Sequence, residues 1–202
     1  MHLGIGTTKQ ENRGLLIMKK SLLALTLLAA APFAASAADG VSYNYVEGGY
    51  VASNTDIADA DGWALKGSVA LHPNFHLFGD YQSQELDDFQ NVDINNWRLG
   101  VGYNHGLSQR VDLLTRVAYE RYDIDYAPKL DGYSVEVGVN GAMTHRLNGY
   151  ALVGYENGDE YDGDFYGRLG AQVKFSPNWS ASADVKFSDG DTQWFVGPRF
   201  SW

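Results

Sequence analysis

From residue 41 to the C-terminus, apolar and polar residues alternate with a period of two, and short turns break the alternation at regular intervals. This period marks strands with one apolar and one polar face. The last stretch shows it plainly. Trp194, Val196, Pro198, Phe200 and Trp202 share one face; Gln193, Gly197 and Arg199 share the other, where Phe195 is the one apolar member. Upstream, a unit recurs about every 32–36 residues and opens each time on an aromatic: Gly62-Trp63, Asn96-Trp97, Gly132-Tyr133 and Asp164-Phe165. The returning strands also match one another, 111–120 with 147–156 and 73–80 with 177–184. The pattern predicts ten strands, near 41–52, 62–72, 75–84, 96–105, 111–122, 132–143, 147–156, 164–175, 179–188 and 192–202. Eight strands remain open as an alternative if the first or last hairpin pairs elsewhere.

Most of these strands have the ~9–11 residues that a tilted strand needs to cross the hydrocarbon of a bilayer. Turns at 72–74, 106–110, 144–146 and 176–178 are short, whereas the segments after odd-numbered strands are mostly longer. Short periplasmic turns, longer outer loops and an even strand count with both termini inside describe an all-β, antiparallel up-and-down transmembrane β-barrel. The aromatics that open the even strands then belong to the outer interface, and Phe75, Phe175, Trp179 and Trp202 to the inner one. Gly197, Phe200 and Trp202 have the spacing of the C-terminal signal read by the barrel-assembly machinery.

The start of the chain sets the compartment. Lys19 and Lys20, an apolar run from Leu22 to Phe33 and the small residues Ala35-Ser36-Ala37 have the order of a secretory signal, cleaved between Ala37 and Ala38. Residues 18–37 are thus read as the signal, 1–17 as a mis-called upstream extension, and 38–202 as one barrel domain exported to the outer membrane. Of the 15 basic and 25 acidic residues, 38–202 keep 11 and 24, a net charge of −13. Such acidity argues against a nucleic-acid partner. There is no cysteine, so disulfides play no part. Nothing after residue 37 approaches the ~20 apolar residues of a membrane helix.

Taking the polar face strand by strand places fourteen charges in the lumen. They are Lys66, Arg98, Arg116, Arg168, Lys174, Lys186 and Arg199 against Glu47, Asp80, Asp112, Glu120, Glu136, Glu156 and Asp184. On the lipid face a midplane Arg or Lys would cost about 2–4 kcal/mol; inside, paired, that cost is removed. Ten strands lie nearer the side-chain-filled eight-stranded barrels than the channels of ~16–18 strands. A filled lumen without substantial conductance is therefore expected.

Most of the remaining acid lies in the predicted outer loops: Asp56, Asp59 and Asp61; Glu85, Asp87, Asp88 and Asp93; Asp123, Asp125 and Asp131; Asp159, Glu160 and Asp162; Asp189 and Asp191. Oxygen-rich clusters suit hard cations, but 157–164 lacks the register of a calcium loop, so divalent cations enter only as loop partners, with no metal site or cofactor assigned. His72, His76, His105 and His145 all fall at or near periplasmic turns, away from the outer rim where small barrel enzymes work. No G-x-S-x-G occurs, and no catalytic residues are assigned. Outer-membrane lipid and lipopolysaccharide are the expected surroundings of a monomer.

Several blocks carry a resemblance. They are Ala38-Asp-Gly-Val-Ser-Tyr-Asn-Tyr-Val-Glu-Gly-Gly-Tyr50, His72-Pro-Asn-Phe-His-Leu-Phe78, Val101-Gly-Tyr-Asn-His105, Gly163-Asp-Phe-Tyr-Gly-Arg-Leu-Gly-Ala171 and Gly190-Asp-Thr-Gln-Trp-Phe-Val-Gly-Pro-Arg-Phe200. Together they make the chain resemble the xanthomonad Ax-type family, described as a diffusible-signal-regulated or sulfation-dependent quorum factor. The resemblance implies a small outer-membrane barrel, also shed in vesicles and associated with biofilm, motility and virulence under quorum-signal control. It also implies a second class of function, a secreted quorum-sensing or immunity-eliciting factor or its precursor, with Tyr43 at the position of a sulfated tyrosine.

Overall fold

The computed structural model describes residues 37–55, 59–86, 92–125, 128–159 and 163–202. The expected upstream extension and the signal as far as residue 36 lie outside the described residues, as do Asp56, Asp87, Asp88, Glu160 and Asp162. Among the described residues there are ten strands: β1 (Tyr45–Asn54), β2 (Asp59–His72), β3 (Phe75–Leu86), β4 (Asp93–Ser108), β5 (Val111–Ile124), β6 (Leu130–Ala142), β7 (Leu147–Gly158), β8 (Asp164–Lys174), β9 (Trp179–Ser188) and β10 (Asp191–Ser201). Each pairs antiparallel with its chain neighbours, and β1 pairs with β10, so the sheet closes into an up-and-down barrel. The eight-strand alternative is excluded by this closure.

The wall is inside out relative to a soluble domain. Outward-facing Leu65, Val153 and Leu169 are 49%, 63% and 51% exposed, whereas Glu120 and Glu136 are 2% and 1% exposed. Contiguous apolar surface on this scale belongs against something other than water, and apolar-out, polar-in alternation is the pattern of a membrane barrel. Aromatic rings mark both ends of the band. Trp63–Tyr81, Trp97–Tyr119 and Tyr155–Phe165 touch at centroid distances of 5.3, 5.3 and 5.0 Å at the end facing the longer loops. Phe75–Tyr103 and Trp179–Phe200, each at 5.1 Å, mark the end with the short turns.

Two features depart from the alternation reading. The hairpins zip further outward than the apolar pattern does. Asp59, Asp61, Glu85, Asp93, Asp123, Asp131 and Asp191, expected in loops, stand on strands. Side-chain alternation stops where the hydrocarbon stops, but backbone ladders need no apolar face to continue. There Asp131 accepts from Arg121 Nε and Nη2 at 2.6 and 3.1 Å and from the Tyr119 hydroxyl at 2.6 Å.

The second departure is at the start. The first strand was expected from residue 41, yet β1 begins at Tyr45, and residues 41–44 leave the wall. Tyr43 is buried with Leu114 and Leu152, with Val41 packed against them. Alternation alone does not distinguish a strand in the wall from an extended segment that lays its apolar residues on the lumen floor.

Closure demands small residues at the seam. A Cβ on Gly49 would stand 2.1 Å from the Val196 carbonyl oxygen, and one on Gly197 2.2 Å from that of Gly48. The backbones of β1 and β10 therefore approach too closely for any side chain there. Gly49→Leu is expected to cost about 1–3 kcal/mol as overpacking. It should lower the temperature at which the fast-migrating, unboiled gel band converts to the boiled position.

Candidate functional site

The strand register brings opposite charges side by side around the lumen. Glu47 lies opposite Lys66 on one side and Arg199 on the other, Lys66 opposite Asp80, Asp80 opposite Arg98, and Arg98 opposite Glu120. The side chains then reach past these neighbours. Arg98, buried at the centre, meets Asp80 at 3.1 Å, Glu120 at 3.5 Å and Glu136, two strands away, at 3.1 Å. Glu136 also meets Arg168 at 3.5 Å and Arg116 at 3.9 Å, and accepts the Tyr166 hydroxyl at 3.0 Å. Three guanidinium groups thus share one carboxylate. Lys66 crosses to Asp184 of β9 at 2.5 Å, and Lys186 meets Glu156 at 2.6 Å. Glu47 is held by Arg199 at 3.6 Å and the Ser182 hydroxyl at 2.8 Å.

Twelve of the fourteen predicted charges are thus tied to opposite charges, and the last two face the N-terminal segment instead. Asp112 accepts the Ala38 backbone N–H, its two oxygens at 3.0 and 3.1 Å, and the Tyr43 hydroxyl at 3.0 Å. Lys174 donates to the Gly40 carbonyl, which also accepts from Asn148 Nδ2 at 2.8 Å. Residues 38–43 therefore form a plug in the mouth at the short-turn end. Its tyrosine stacks on His76 at 4.5 Å with 16° between the rings.

Aromatic rings, which a reading of charged residues alone does not include, complete the filling. Lys66 lies 3.6 Å from the Phe195 centroid, and the Arg199 guanidinium lies 3.4 Å from that of Tyr45. Phe78 sits between Arg98 and Arg116 at 5.2 and 4.9 Å. Cations over aromatic faces gain about 0.5–2 kcal/mol each, which gives Phe195, the odd apolar residue of its face, a role. Glycines opposite the large rings make the room: a Cβ on Gly102 would stand 2.0 Å from His76 Nε2, and one on Gly154 2.3 Å from the Tyr166 ring. The available signal was strand parity, which puts Phe78, Tyr166 and Phe195 inward with the charges.

Two small cavities flank the arginine layer among the described residues. A cavity of about 40 Å³ lies below the arginine layer, lined by Tyr45, Glu47, Lys66, Arg116, Arg168 and Asp184. Another of about 60 Å³ lies above it, lined by Gln84, Asn96, Arg98, Glu120 and Lys186. Each has room for a few waters, and Arg98 and Arg168 stand between them. Among the described residues no group of three or more His, Asp or Glu is arranged to hold a metal ion. His76, the second residue of β3 and so close to the short turn, points into the lumen and is fully buried. Gly197 stands at the seam, Phe200 packs on Trp179, and Trp202, an exposed residue, stacks on Phe200 at 6.2 Å.

A family model described as an outer membrane protein beta-barrel domain matches residues 21–197. No curated protein matches. Among solved structures the chain is similar to a KdgM porin, at 14% identity over 78% of this chain and 99% of that one, with a TM-score of 0.46. It is also similar to the translocator domain of the autotransporter NalP from Neisseria meningitidis, at 10% identity over 96% and 98%, with a TM-score of 0.45. Ail, the attachment invasion locus protein of Yersinia pestis, aligns at 12% identity over 78% and 97%, with a TM-score of 0.37. At these scores the likeness says nothing of activity.

Removing the shared carboxylate leaves buried Arg116 and Arg168 without their acidic partner and takes one of three from Arg98. Glu136→Gln is expected to destabilise the barrel by about 3–5 kcal/mol, the cost of an uncompensated buried charge. Glu156→Gln, which releases Lys186 alone, should cost less. Urea unfolding of the two variants in lipid vesicles, followed by tryptophan fluorescence, checks the order.

Proposed function

The chain belongs to the outer membrane protein beta-barrel domain family, and we propose that it serves there as a closed, non-catalytic wall protein whose outer hairpin ends are its working surface. The observation that carries this reading is the arginine layer. Arg98, Arg116 and Arg168 converge on Glu136 across the lumen, and the cavities described on either side measure about 40 and 60 Å³. A solute would have to break several buried ion pairs to pass.

The outer strand ends are acidic, and their described residues stay paired beyond the aromatic row, as at Asn54 opposite Asp59, Glu85 opposite Asp93 and Asn95 opposite Asp123. Their chemistry suits divalent cations, and through them the phosphates of lipopolysaccharide. Gly197, Phe200 and Trp202 are the expected contact for the barrel-assembly machinery, and closure of β1 on β10 within one chain favours a monomer. The resemblance to the xanthomonad Ax-type family supports a setting in biofilm, motility and virulence under quorum-signal control, with release in outer-membrane vesicles.

The other reading that the resemblance raises, a secreted signal or its precursor, has less support. Tyr43 is 4% exposed and bonded to Asp112, a poor position for modification or release from the folded barrel.

Reconstituted into planar bilayers, the purified protein is expected to give no stable open level, and a defined, ion-selective channel would overturn the closed-wall reading. A heat-modifiable band in the outer-membrane fraction, with no processed fragment in the medium, is the expected distribution.

A further inference from the structure

Asp112 is completely buried, yet among the described residues none of the lumen cations pairs with it. Its carboxylate faces the Ala38 nitrogen, at 3.0 Å from one oxygen and 3.1 Å from the other. A peptide nitrogen carries one hydrogen and cannot serve two oxygens well; an ammonium carries three. A buried carboxylate also needs a cation to offset its desolvation. Ala38 is moreover the residue whose nitrogen is freed by cleavage after Ala35-Ser36-Ala37. The sequence and the lumen, read separately, single out the same atom.

We propose that Asp112 is the receptor for the mature N-terminus: cleavage of the Ala37–Ala38 bond frees an α-ammonium that Asp112 holds inside the periplasmic mouth, latching the plug. Hydrolysis takes up one water. The hydroxide goes to the Ala37 carbonyl carbon and a proton to the Ala38 nitrogen. The resulting amine takes the proton of the new Ala37 carboxyl group, which leaves with the signal. The segment behind the ammonium is already fixed. The Asp39 N–H donates to the Gln109 carbonyl at 2.7 Å, and Gly40, at φ +83°, turns the chain in a conformation that costs glycine little. The Tyr43 hydroxyl donates to the same carboxylate at 3.0 Å, so one acid holds both ends of the plug. The latch is independent of what the outer ends bind.

The test uses full-length protein expressed for export and purified from the outer membrane. Primary amines are acetylated at neutral pH in the native and boiled barrel, and the N-terminal peptide is followed by mass spectrometry. The expected N-terminus is Ala38, with its α-amine modified at least about tenfold more slowly in the native barrel, as for a group reached only through local opening. Asp112→Asn should bring the native rate toward the boiled one. Inserting one glycine before Ala38, which moves the ammonium off the carboxylate while leaving Asp112 in place, should do the same and serves if D112N does not assemble. A different N-terminus, an α-amine equally reactive in native and boiled wild-type protein, or undiminished protection in either folded variant would overturn the proposal.

Discussion

A strand in hydrocarbon must give every amide and carbonyl to a neighbour, because no water is there to take them. For this chain the demand comes to a point at the pairing of β1 with β10, from Tyr45 opposite Ser201 to Asn54 opposite Thr192. Without that seam two strand edges would lie open in the bilayer. The glycines at 49 and 197 are the cost of meeting it, since no side chain fits where the two backbones pass. Closure then fixes everything else. Each strand has one face to lipid and one to a narrow interior, and every second residue must suit the one or the other.

The interior is consequently where charge can go, and its chemistry follows from its width. The register sets opposite charges on adjacent strands, which alone would give a ring of pairs lining an open tube. Instead Lys66 spans to Asp184 and Arg98 to Glu136, tying together parts of the wall that share no backbone bond. Such pairs contribute little net stability against well-packed apolar residues. What they supply is specificity: a slip of one residue in any strand would turn its charges to the lipid face.

How much of this was legible follows from what each signal depends on. Strand number, strand direction and the inward set from Glu47 to Arg199 are properties of parity and could be read directly. So could the aromatic rows, which mark where each strand meets the interface. The outward extension of the hairpins to Asp59 or Asp93 was not legible, because beyond the hydrocarbon the backbone ladder continues without an apolar face to mark it. Residues 41–44 misled for the opposite reason. Val41 and Tyr43 alternate as a wall strand would, but their apolar face lies on the lumen floor beside Leu114 and Leu152. His76 stands near the turn, and its parity with Phe78 and Asp80 puts it inside, under Tyr43.

The plug and the arginine layer address the same difficulty at two depths. A ten-stranded barrel encloses more space than one layer of side chains fills, and an unfilled polar lumen would admit water and weaken each ion pair in it. Midway, rings fill the gaps between cations, seated over glycines on the facing strand: Phe78 against Gly100, Tyr166 against Gly154. At the short-turn end His76 is seated over Gly102 in the same way, and the chain's own first residues complete the filling above it. Val41 and Tyr43 cover Leu114 and Leu152, while Lys174, Arg199 and Asn148 bind the plug's carbonyls. The residues that looked like the start of the wall are thus the floor of the barrel, and the wall's charges that find no opposite charge are the ones that hold that floor in place.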